Sequence, residues 1–168
     1  MEVNMALNKT SKEIQVSFLI TEAAANTFTQ DQHDLALDPL NNEVFVVQAI
    51  DFNADPPDVV GGTDTRTTVS LSSSTRTTLG TLANSNVMAS VTDSIQDGIV
   101  GFSTENPSAV TSGMVDSIGI IATSNFFVQI EGGNNAQAKT ASGRLYGYRA
   151  KADSGTYAAL VQSEVLSA

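Results

Sequence analysis

Residues 13–21 read EIQVSFLIT, and apolar and polar side chains alternate along the whole segment. Ile14, Val16, Phe18 and Ile20 therefore share one face, which is the period-two pattern of a β-strand with one buried side. Such a strand needs a second layer of structure to cover its apolar face. The segment thus favours a layered β protein over a helical one.

Residues 43–52, EVFVVQAIDF, form a nearly continuous run of β-branched, aromatic and aliphatic side chains. Such a run predicts a strand that is buried on both faces. The segment DPLNN before it predicts a turn, and NADPPDVVGGTD after it predicts a long loop. Pro, Asp, Asn and Gly favour the backbone conformations that turns require.

The motif TRTT occurs at residues 65–68 and again at residues 75–78, with a Ser-rich stretch between the two copies. We expect the Thr-rich segments Thr65–Leu71 and Thr75–Leu82 to pair as a hairpin with cross-strand Thr contacts. The repeat is too short to indicate a duplicated unit. For residues 83–96 a short helix and a loop stay open as alternatives.

Further strands are predicted from β-branched and aromatic content at Gly98–Ser103, Met114–Thr123, Asn125–Glu131 and Gly143–Ala150. The segment EGGNNA at residues 131–136 predicts a hairpin turn, because Gly and Asn tolerate the positive φ angles of such turns.

The C-terminus predicts a helix that begins after Asp153 or Ser154 as the N-cap residue. Its apolar side chains fall on one face at helical spacing, and we expect that face to pack on the rest of the domain. The residues of this face are Tyr157, Leu160, Val161 and Val165.

Together these elements predict an all-β fold: an antiparallel β-sandwich, built as a single jelly roll, with a short C-terminal helix. We place an N-terminal arm at residues 1–12 and the jelly-roll domain at residues 13–152. The helix at residues 153–168 is expected to pack on the same domain. A chain of 168 residues is long enough to bury one core without disulfides.

The composition argues against an enzyme. The chain has no Cys, which excludes disulfides, thiolate metal sites and a Cys nucleophile. Its single His, His33, is predicted to be exposed in a polar loop. Neither a nucleophile elbow nor a phosphate-binding glycine loop is present. We therefore predict no catalytic activity and no organic cofactor.

The charge content points to protein contacts. Charged residues make up 15% of the chain, below the usual quarter, and the formal net charge is −10. Interface cores are depleted of charge, so this composition suits broad subunit contacts. Binding to nucleic acid rests mainly on Lys and Arg, and direct binding to a genome is not expected.

The sequence predicts neither membrane insertion nor secretion. No segment approaches the roughly 20 apolar residues that a membrane-spanning helix needs. The best candidate for a signal peptide, Ile14–Ile20 followed by a run of alanines, is interrupted by Gln15 and Ser17. We expect synthesis in a cytoplasm.

The segment DFNAD and the loop after it supply five oxygen ligands within a short stretch, namely Asp51, Asn53, Asp55, Asp58 and Asp64. The first three match the start of an EF-hand loop. Pro56 replaces the Gly that this loop needs, and Gly62 replaces its bidentate Glu, so an EF-hand is excluded. Two alternatives stay open: an irregular Ca²⁺ site and a solvated acidic loop.

The stretch SGRLYGYRAKA at residues 142–152 concentrates basic and aromatic side chains. Its spacing partly matches an RNA-recognition strand, but the surrounding element order does not. Tyr side chains are equally suited to protein interfaces. We therefore predict a subunit-interface strand in which Arg groups neutralise carboxylates of neighbouring copies or of the same fold, with Arg149 as the buried one. The predicted interface residues are Arg144, Tyr146, Tyr148, Arg149 and Lys151.

As a whole the chain resembles the single-jelly-roll major capsid proteins of tailless icosahedral viruses. The resemblance lies in the polar arm MEVNMALNKTSK, the buried strand EVFVVQAIDF, the Ser/Thr-rich strands, the segment NFFVQIEGGNNAQAK, the strand GRLYGYRA and the terminal helix. It implies a virion protein that tiles an icosahedral shell with copies of itself, and other virion proteins as further partners. Lys9 and Lys12 are the only basic residues of the arm, which departs from coats whose basic arms bind the genome.

Two other classes of protein stay open. One is another assembly subunit, such as a phage tail-tube, decoration or filament protein, which particle morphology would distinguish. The other is a monomeric β-sandwich module that binds glycans, which light scattering would distinguish.

Overall fold

The alternating segment near the N-terminus forms strand β2 (Ile14–Thr21), with Phe18 and Ile20 buried on its inner side. The fold is described from a computed structural model, which covers residues 7–96, 102–104, 108–110 and 117–167. The strands form two antiparallel sheets that pack face to face. The predicted antiparallel sandwich is confirmed.

Among the described residues, the first sheet has six strands: β1 (Asn8–Lys9), β2, β11 (Thr140–Lys151), β4 (Glu43–Ala54), β8 (Ser108–Val110) and β9 (Gly119–Ile121). The second sheet has five in the same ranges, in the order β3 (Thr29–Asp34), β10 (Asn125–Gly133), β5 (Thr65–Ser72), β6 (Val87–Ile95) and β7 (Phe102–Thr104).

The strand pairing is nested. β1 and β2 lie along one edge of β11, and β8 and β9 lie along the far edge of β4, so each couple occupies one strand position. From the ends of the chain inwards, the β1/β2 position pairs with β11, and β3 pairs with β10. Next, β4 pairs with the β8/β9 position, and β5 pairs with β6. Successive pairs alternate between the two sheets. This is a long hairpin rolled into a sandwich, which is the jelly-roll topology.

The inner faces of both sheets build one apolar core. Its largest fully buried members are Phe45, Phe126, Ile20, Ile50, Leu71, Ile121, Ile130 and Leu145. Strand β4 is buried on both faces, as predicted, because Phe45 and Val47 face this core while Val44 and Val46 face a second cluster. That second cluster lies under the C-terminal helix α1 (Ser154–Ser167).

The predicted hairpin between Thr65–Leu71 and Thr75–Leu82 is wrong. β5 pairs instead with β6, and the expected cross-strand Thr contact joins Thr68 to Thr92, with 3.0 Å between the hydroxyl oxygens. Residues 73–86 form an irregular loop. Neither alternative for residues 83–96 describes the strand that begins at Val87.

The turn predicted at residues 131–136 is not a hairpin. β10 lies in the second sheet and β11 in the first, so the segment between them crosses from one sheet to the other. The prediction of a positive φ angle is correct at Asn134, where φ is 56°. A crossover and a hairpin both need turn residues, so the local sequence did not separate them.

Other predicted strands have mixed outcomes. β10 and β11 confirm the strands predicted at Asn125–Glu131 and Gly143–Ala150, and each extends further. The segments predicted at Gly98–Ser103 and Met114–Thr123 lie partly outside the described residues, and their described parts contain β7 and β9. Strand β3, TQDQHD, was not predicted, because it carries no apolar alternation.

The C-terminal helix begins after Asp153, as predicted. The Asp153 carboxylate accepts hydrogen bonds from the backbone N–H of Thr156 at 2.8 Å and from its hydroxyl at 2.7 Å, which is the geometry of an N-cap. These two bonds lower the pKa of Asp153. Tyr157, Leu160 and Val161 pack on the second cluster, whereas Val165 is exposed and does not belong to the buried face.

Candidate interface on the outer face of the first sheet

Strand β11 carries every residue of the predicted interface, and its two inner glycines explain the pattern GRLYGY. A Cβ atom at Gly143 would lie 2.4 Å from the ring of Phe18, and one at Gly147 would lie 2.5 Å from the ring of Phe45. The two rings therefore pack directly on the β11 backbone. Leu145, between the glycines, is fully buried in the same core.

The outward side chains of β11 form rows with those of its neighbours. Arg144 stands opposite Ser17 of β2 and opposite Asp51 of β4, and Tyr146 stands in the next row. A surface cavity of ≈ 410 Å³ lies between the rows and is lined by Arg144, Tyr146, Asp51 and Asn53 among others. Two groups that the sequence placed in separate sites, the interface strand and the acidic segment, thus share one face.

Tyr148 has a different environment from Tyr146, although the two lie two residues apart. It packs against the second cluster next to helix α1. The ammonium group of Lys9 lies 4.4 Å from the centroid of its ring, which is a cation–π contact. Tyr148 therefore belongs to the contact between strand β1, β11 and the helix, and Tyr146 belongs to the open cavity.

Arg149 forms its contacts within its own subunit. Its guanidinium donates to the backbone oxygen of Leu35 at 3.0 Å and lies 3.5 Å from a carboxylate oxygen of Glu43. The Arg149 side chain is about one third exposed, at 32%. Lys151, at the end of the same strand, is exposed. The placement of Arg149 matches the alternative in which it neutralises a carboxylate of the same fold.

The residues of the predicted Ca²⁺ site are divided between a strand and the loop that follows it. Asp51 and Asn53 belong to strand β4, whereas Asp55 and Asp58 lie in the loop after it. The Asp55 carboxylate accepts the backbone N–H of Thr140 at 3.0 Å. Within the described ranges, no group of three or more Asp, Glu, His or Cys side chains could hold a metal ion. The Ca²⁺ site stays a prediction.

Asp58 forms an ion pair with Lys139. The Lys139 ammonium lies 2.6 Å from one Asp58 oxygen, and the backbone N–H groups of Ala136 and Gln137 donate to the other. The hydrogen bond from Lys139 is the main reason that the pKa of Asp58 lies below its ordinary value. This pair fastens the loop after β4 to the crossover before β11.

Glu22 organises the same end of the sandwich, although the sequence analysis did not single it out. Its buried carboxylate accepts backbone N–H groups from Thr27, Gly132 and Lys139, at 3.1, 2.6 and 2.8 Å. The loop between β2 and β3, the end of β10 and the crossover before β11 are therefore joined at one side chain. No motif marks a Glu whose partners are backbone groups far away in sequence.

His33 is not in an exposed loop, as predicted, but in strand β3. Its ring is half-buried and stacks on Phe126 with 5.0 Å between the ring centroids. Burial lowers the pKa of His33, and the nearby charge of Asp31 opposes that shift in part. The ring fills the space between the sheets beside Phe18, where it acts as a packing residue.

The outer face of the second sheet carries a buried polar network centred on Gln129. The Gln129 side-chain oxygen accepts the hydroxyl of Ser70 at 2.8 Å. Its nitrogen donates to the hydroxyl of Ser72 at 2.8 Å and to the side-chain oxygen of Gln30 at 2.9 Å. Gln30 also accepts the backbone N–H of Arg76, in the loop of residues 73–86. That loop is thereby held over the sheet.

Comparisons with known proteins assign no family. No protein-family model matches the chain, and no curated protein matches it either. A solved structure from Desmodium yellow mottle tymovirus is similar at 10% sequence identity with a TM-score of 0.34, covering 85% of this chain and 91% of that chain. A likeness of this strength establishes no relationship, and the jelly-roll assignment rests on the strand pairing. Within the described residues, no helix is long and apolar enough to cross a membrane.

Proposed function

We propose that this chain is a structural virion protein, a capsid subunit that assembles with copies of itself into an icosahedral shell. The observation that supports this proposal best is the nested pairing of strands into a jelly roll. Jelly rolls also occur in lectin domains and cupins, so the fold alone does not select a function. The low charge content of 15% adds support, because it suits broad contacts between subunits.

The residue inventory supports a non-enzymatic role. The chain has no Cys and one His, and that His packs between aromatic rings. The ion pair between Asp58 and Lys139 fastens two loops together. We propose that the protein acts through its surfaces, resides in the virion and needs no organic cofactor.

Electron microscopy of the purified protein, with light scattering on the same sample, tests the shell directly. Closed isometric particles are the expected result. Tubes or filaments would instead indicate a tail-tube or filament protein. A monomer at every concentration and salt condition would overturn the assembly function.

A specific observation favours glycan binding as a second candidate function. The cavity on the outer face of the first sheet combines an aromatic ring, Tyr146, with hydrogen-bonding side chains from Asn53 and Ser142. Sugar sites pair an apolar platform with a few directional polar groups in this way. Glycan-array binding that Tyr146→Ala abolishes and Tyr146→Phe retains is expected for this function. Absence of binding to any glycan would reject it.

The salt dependence of oligonucleotide binding distinguishes the nucleic-acid alternative for strand β11 from the interface proposal. Binding to phosphates predicts retention on an oligonucleotide column that falls steeply as salt rises, and the loss of this retention in both Arg149→Glu and Lys151→Glu. The interface proposal predicts no such retention. It also predicts that Arg149→Glu impairs folding or assembly, because it places a carboxylate beside Glu43, and that Lys151→Glu has a mild effect.

The Ca²⁺ proposal is tested by thermal melting in EGTA and in millimolar Ca²⁺. A bound metal ion stabilises the folded state by mass action, so a site predicts a higher melting temperature in Ca²⁺. Identical curves would leave Asp55 and Asp58 as residues that fasten loops to the backbone near Thr140 and Ala136.

A further inference from the structure

The end of helix α1 carries exposed apolar side chains that its own fold does not cover. Val165 is 64% exposed and Leu166 is 76% exposed, although both follow directly after the buried Glu164. Solvent exposure of adjacent large apolar side chains on one helix end is unfavourable unless another surface covers them. The same helix end borders a mostly apolar cavity of ≈ 240 Å³ that Phe127 and Val165 line.

The loop of residues 73–86 borders the same end of the helix. Ser73, Ser74 and Thr75 line the cavity, and the Ser85 hydroxyl donates to the Ser167 hydroxyl at 3.3 Å. Leu82, three residues before Ser85, is 71% exposed. We call the surface formed by Phe127, Val165 and Leu166 the neutral corner.

The neutral corner carries almost no charge. Glu164 is the only charged residue of helix α1. It lines the cavity, but it is buried and its oxygens accept hydrogen bonds from Ala122 and Thr123. Arg76 is the only charged residue of residues 73–86, and its guanidinium donates to the side chains of Asn84 and Asn86 within the loop. Elsewhere the described surface carries exposed carboxylates, as expected for a net charge of −10.

This distribution favours a second copy of the chain as the partner. Two copies that each carry ten excess negative charges repel one another, and the repulsion is least where the approaching surfaces are uncharged. A basic protein or a polyanion-binding partner would instead be attracted to the acidic regions. We propose that the neutral corner is a contact surface for a second copy of this chain, with Val165 and Leu166 filling an apolar pocket of the neighbour. The inference rests on the proposed assembly function and names the surface that it uses.

Substitutions at Leu166 test this contact and separate burial from simple charge effects. Burial in a contact predicts that Leu166→Asp and Leu166→Lys both weaken self-association, by about tenfold or more in dissociation constant. A general electrostatic effect predicts opposite results, since Lys would make the chain less negative and Asp would make it more negative. The matched control is Val59→Asp, at a side chain that is similarly exposed, at 71%, but lies in the loop after β4.

The measurements are sedimentation velocity over a range of concentrations and electron microscopy of each variant, with circular dichroism to verify folding. Because the chain has no Cys, Leu166→Cys also offers a single site for thiol cross-linking between copies. Expected results are loss of association in both Leu166 variants, an unchanged Val59→Asp variant, and a cross-linked dimer.

The outcomes separate this inference from the proposed function. Shells that form equally well with Leu166→Asp and Leu166→Lys would overturn the neutral corner and leave the capsid function standing. Association that both substitutions abolish, in a protein that forms no shell, would support the contact and overturn the capsid function. A wild-type chain that stays monomeric, together with a Leu166→Cys variant that does not cross-link, would overturn both.

Discussion

The two sheets of this sandwich cover their outer faces by different means. On the first sheet, helix α1 packs Tyr157, Leu160 and Val161 on a small apolar cluster that includes Val44 and Val46. On the second sheet, the irregular loop of residues 73–86 lies over serine hydroxyls and the amide of Gln129. One cover is mostly apolar contact and the other is mostly hydrogen bonding.

The difference matters because the two kinds of contact tolerate change differently. Apolar contacts are non-directional, so a helix can shift and still bury area. A buried hydrogen-bond network holds one arrangement, because each donor and acceptor that loses its partner inside the protein costs free energy. We infer that residues 73–86 are held in one register by Gln129, while the buried hydrogen bonds that orient helix α1 are those of Glu164.

The largest predicted effect tests the hydrogen-bonded loop of residues 73–86 over the second sheet, which we call the polar cover. Gln129→Ala leaves the hydroxyls of Ser70 and Ser72 and the amide of Gln30 without their buried partner, and it opens a cavity. We expect a loss of about 3–5 kcal/mol in the free energy of unfolding, measured by urea denaturation. The control is Gln32→Ala, at an exposed Gln on the neighbouring strand β3, which should change stability little. Equal effects of the two variants would show that the network does not hold the loop.

The same difference decides what the sequence reveals. The helix was predictable because Tyr157, Leu160 and Val161 repeat at helical spacing after an N-cap Asp. The polar cover was not, because Gln30, Ser70 and Gln129 come from three distant segments and leave no periodic pattern. The repeated TRTT motif misled the hairpin prediction for this reason, since its second copy belongs to the loop and not to a strand.

Of the two strands that were not predicted, β6 carries a sequence pattern that could have identified it, and β3 carries none. Strand β6 buries every second residue except Asp93, namely Val87, Ala89, Val91 and Ile95. This alternation was visible in the sequence. In β3 the residues are polar on both faces, and pairing with β10 decides their conformation. Of the candidate site, the sequence correctly placed the residues of β11 on one strand. It did not predict that Asp51 and Asn53 of β4 would lie beside them, because cross-strand register is set by tertiary pairing.

The second prediction concerns the buried hydrogen bonds that orient the helix. The Glu164 carboxylate accepts the backbone N–H of Ala122 at 2.6 Å and both the N–H and the hydroxyl of Thr123, at 2.9 and 2.6 Å. Glu164→Ala should therefore cost about 2–3 kcal/mol, because buried donors lose their acceptor. Urea denaturation gives the loss, and the exposed Gln162→Ala is the control. A loss no larger than that of the control would mean that the helix is held by apolar contact alone.

The third prediction measures that apolar contact. Leu160 is only half-buried, so Leu160→Ala should cost about 1–2 kcal/mol, less than the 2–5 kcal/mol typical of a fully buried Leu. Thermal melting of the variant, compared with Gln162→Ala at an exposed site of the same helix, gives the difference. A cost as large as that of Gln129→Ala would contradict the ranking of the two covers.

The smallest effect is a change in how the free energy of unfolding depends on pH. We expect it only for the contact between helix α1 and the first sheet, through Glu164. Burial raises the pKa of Glu164 above its ordinary value of 4.5, although its hydrogen bonds from Thr123 and Ala122 act in the opposite direction. The folded chain then binds this proton more tightly than the unfolded chain. The contribution is fully present below pH 4.5 and is lost as the pH rises through the raised pKa.

Glu164→Gln removes this titration while keeping the size of the side chain. Relative to that variant, the wild type should lose stability as the pH rises above 4.5, with the difference levelling off once Glu164 is ionised in the folded state. Urea denaturation of both proteins across this pH range measures the difference, and other titrating groups cancel because both chains carry them. Gln129 carries no charge, so Gln129→Ala should lower stability by the same amount at every pH. Parallel curves for wild type and Glu164→Gln would mean that the Glu164 carboxylate is not desolvated, and the helix would then be a looser cover than its contacts indicate.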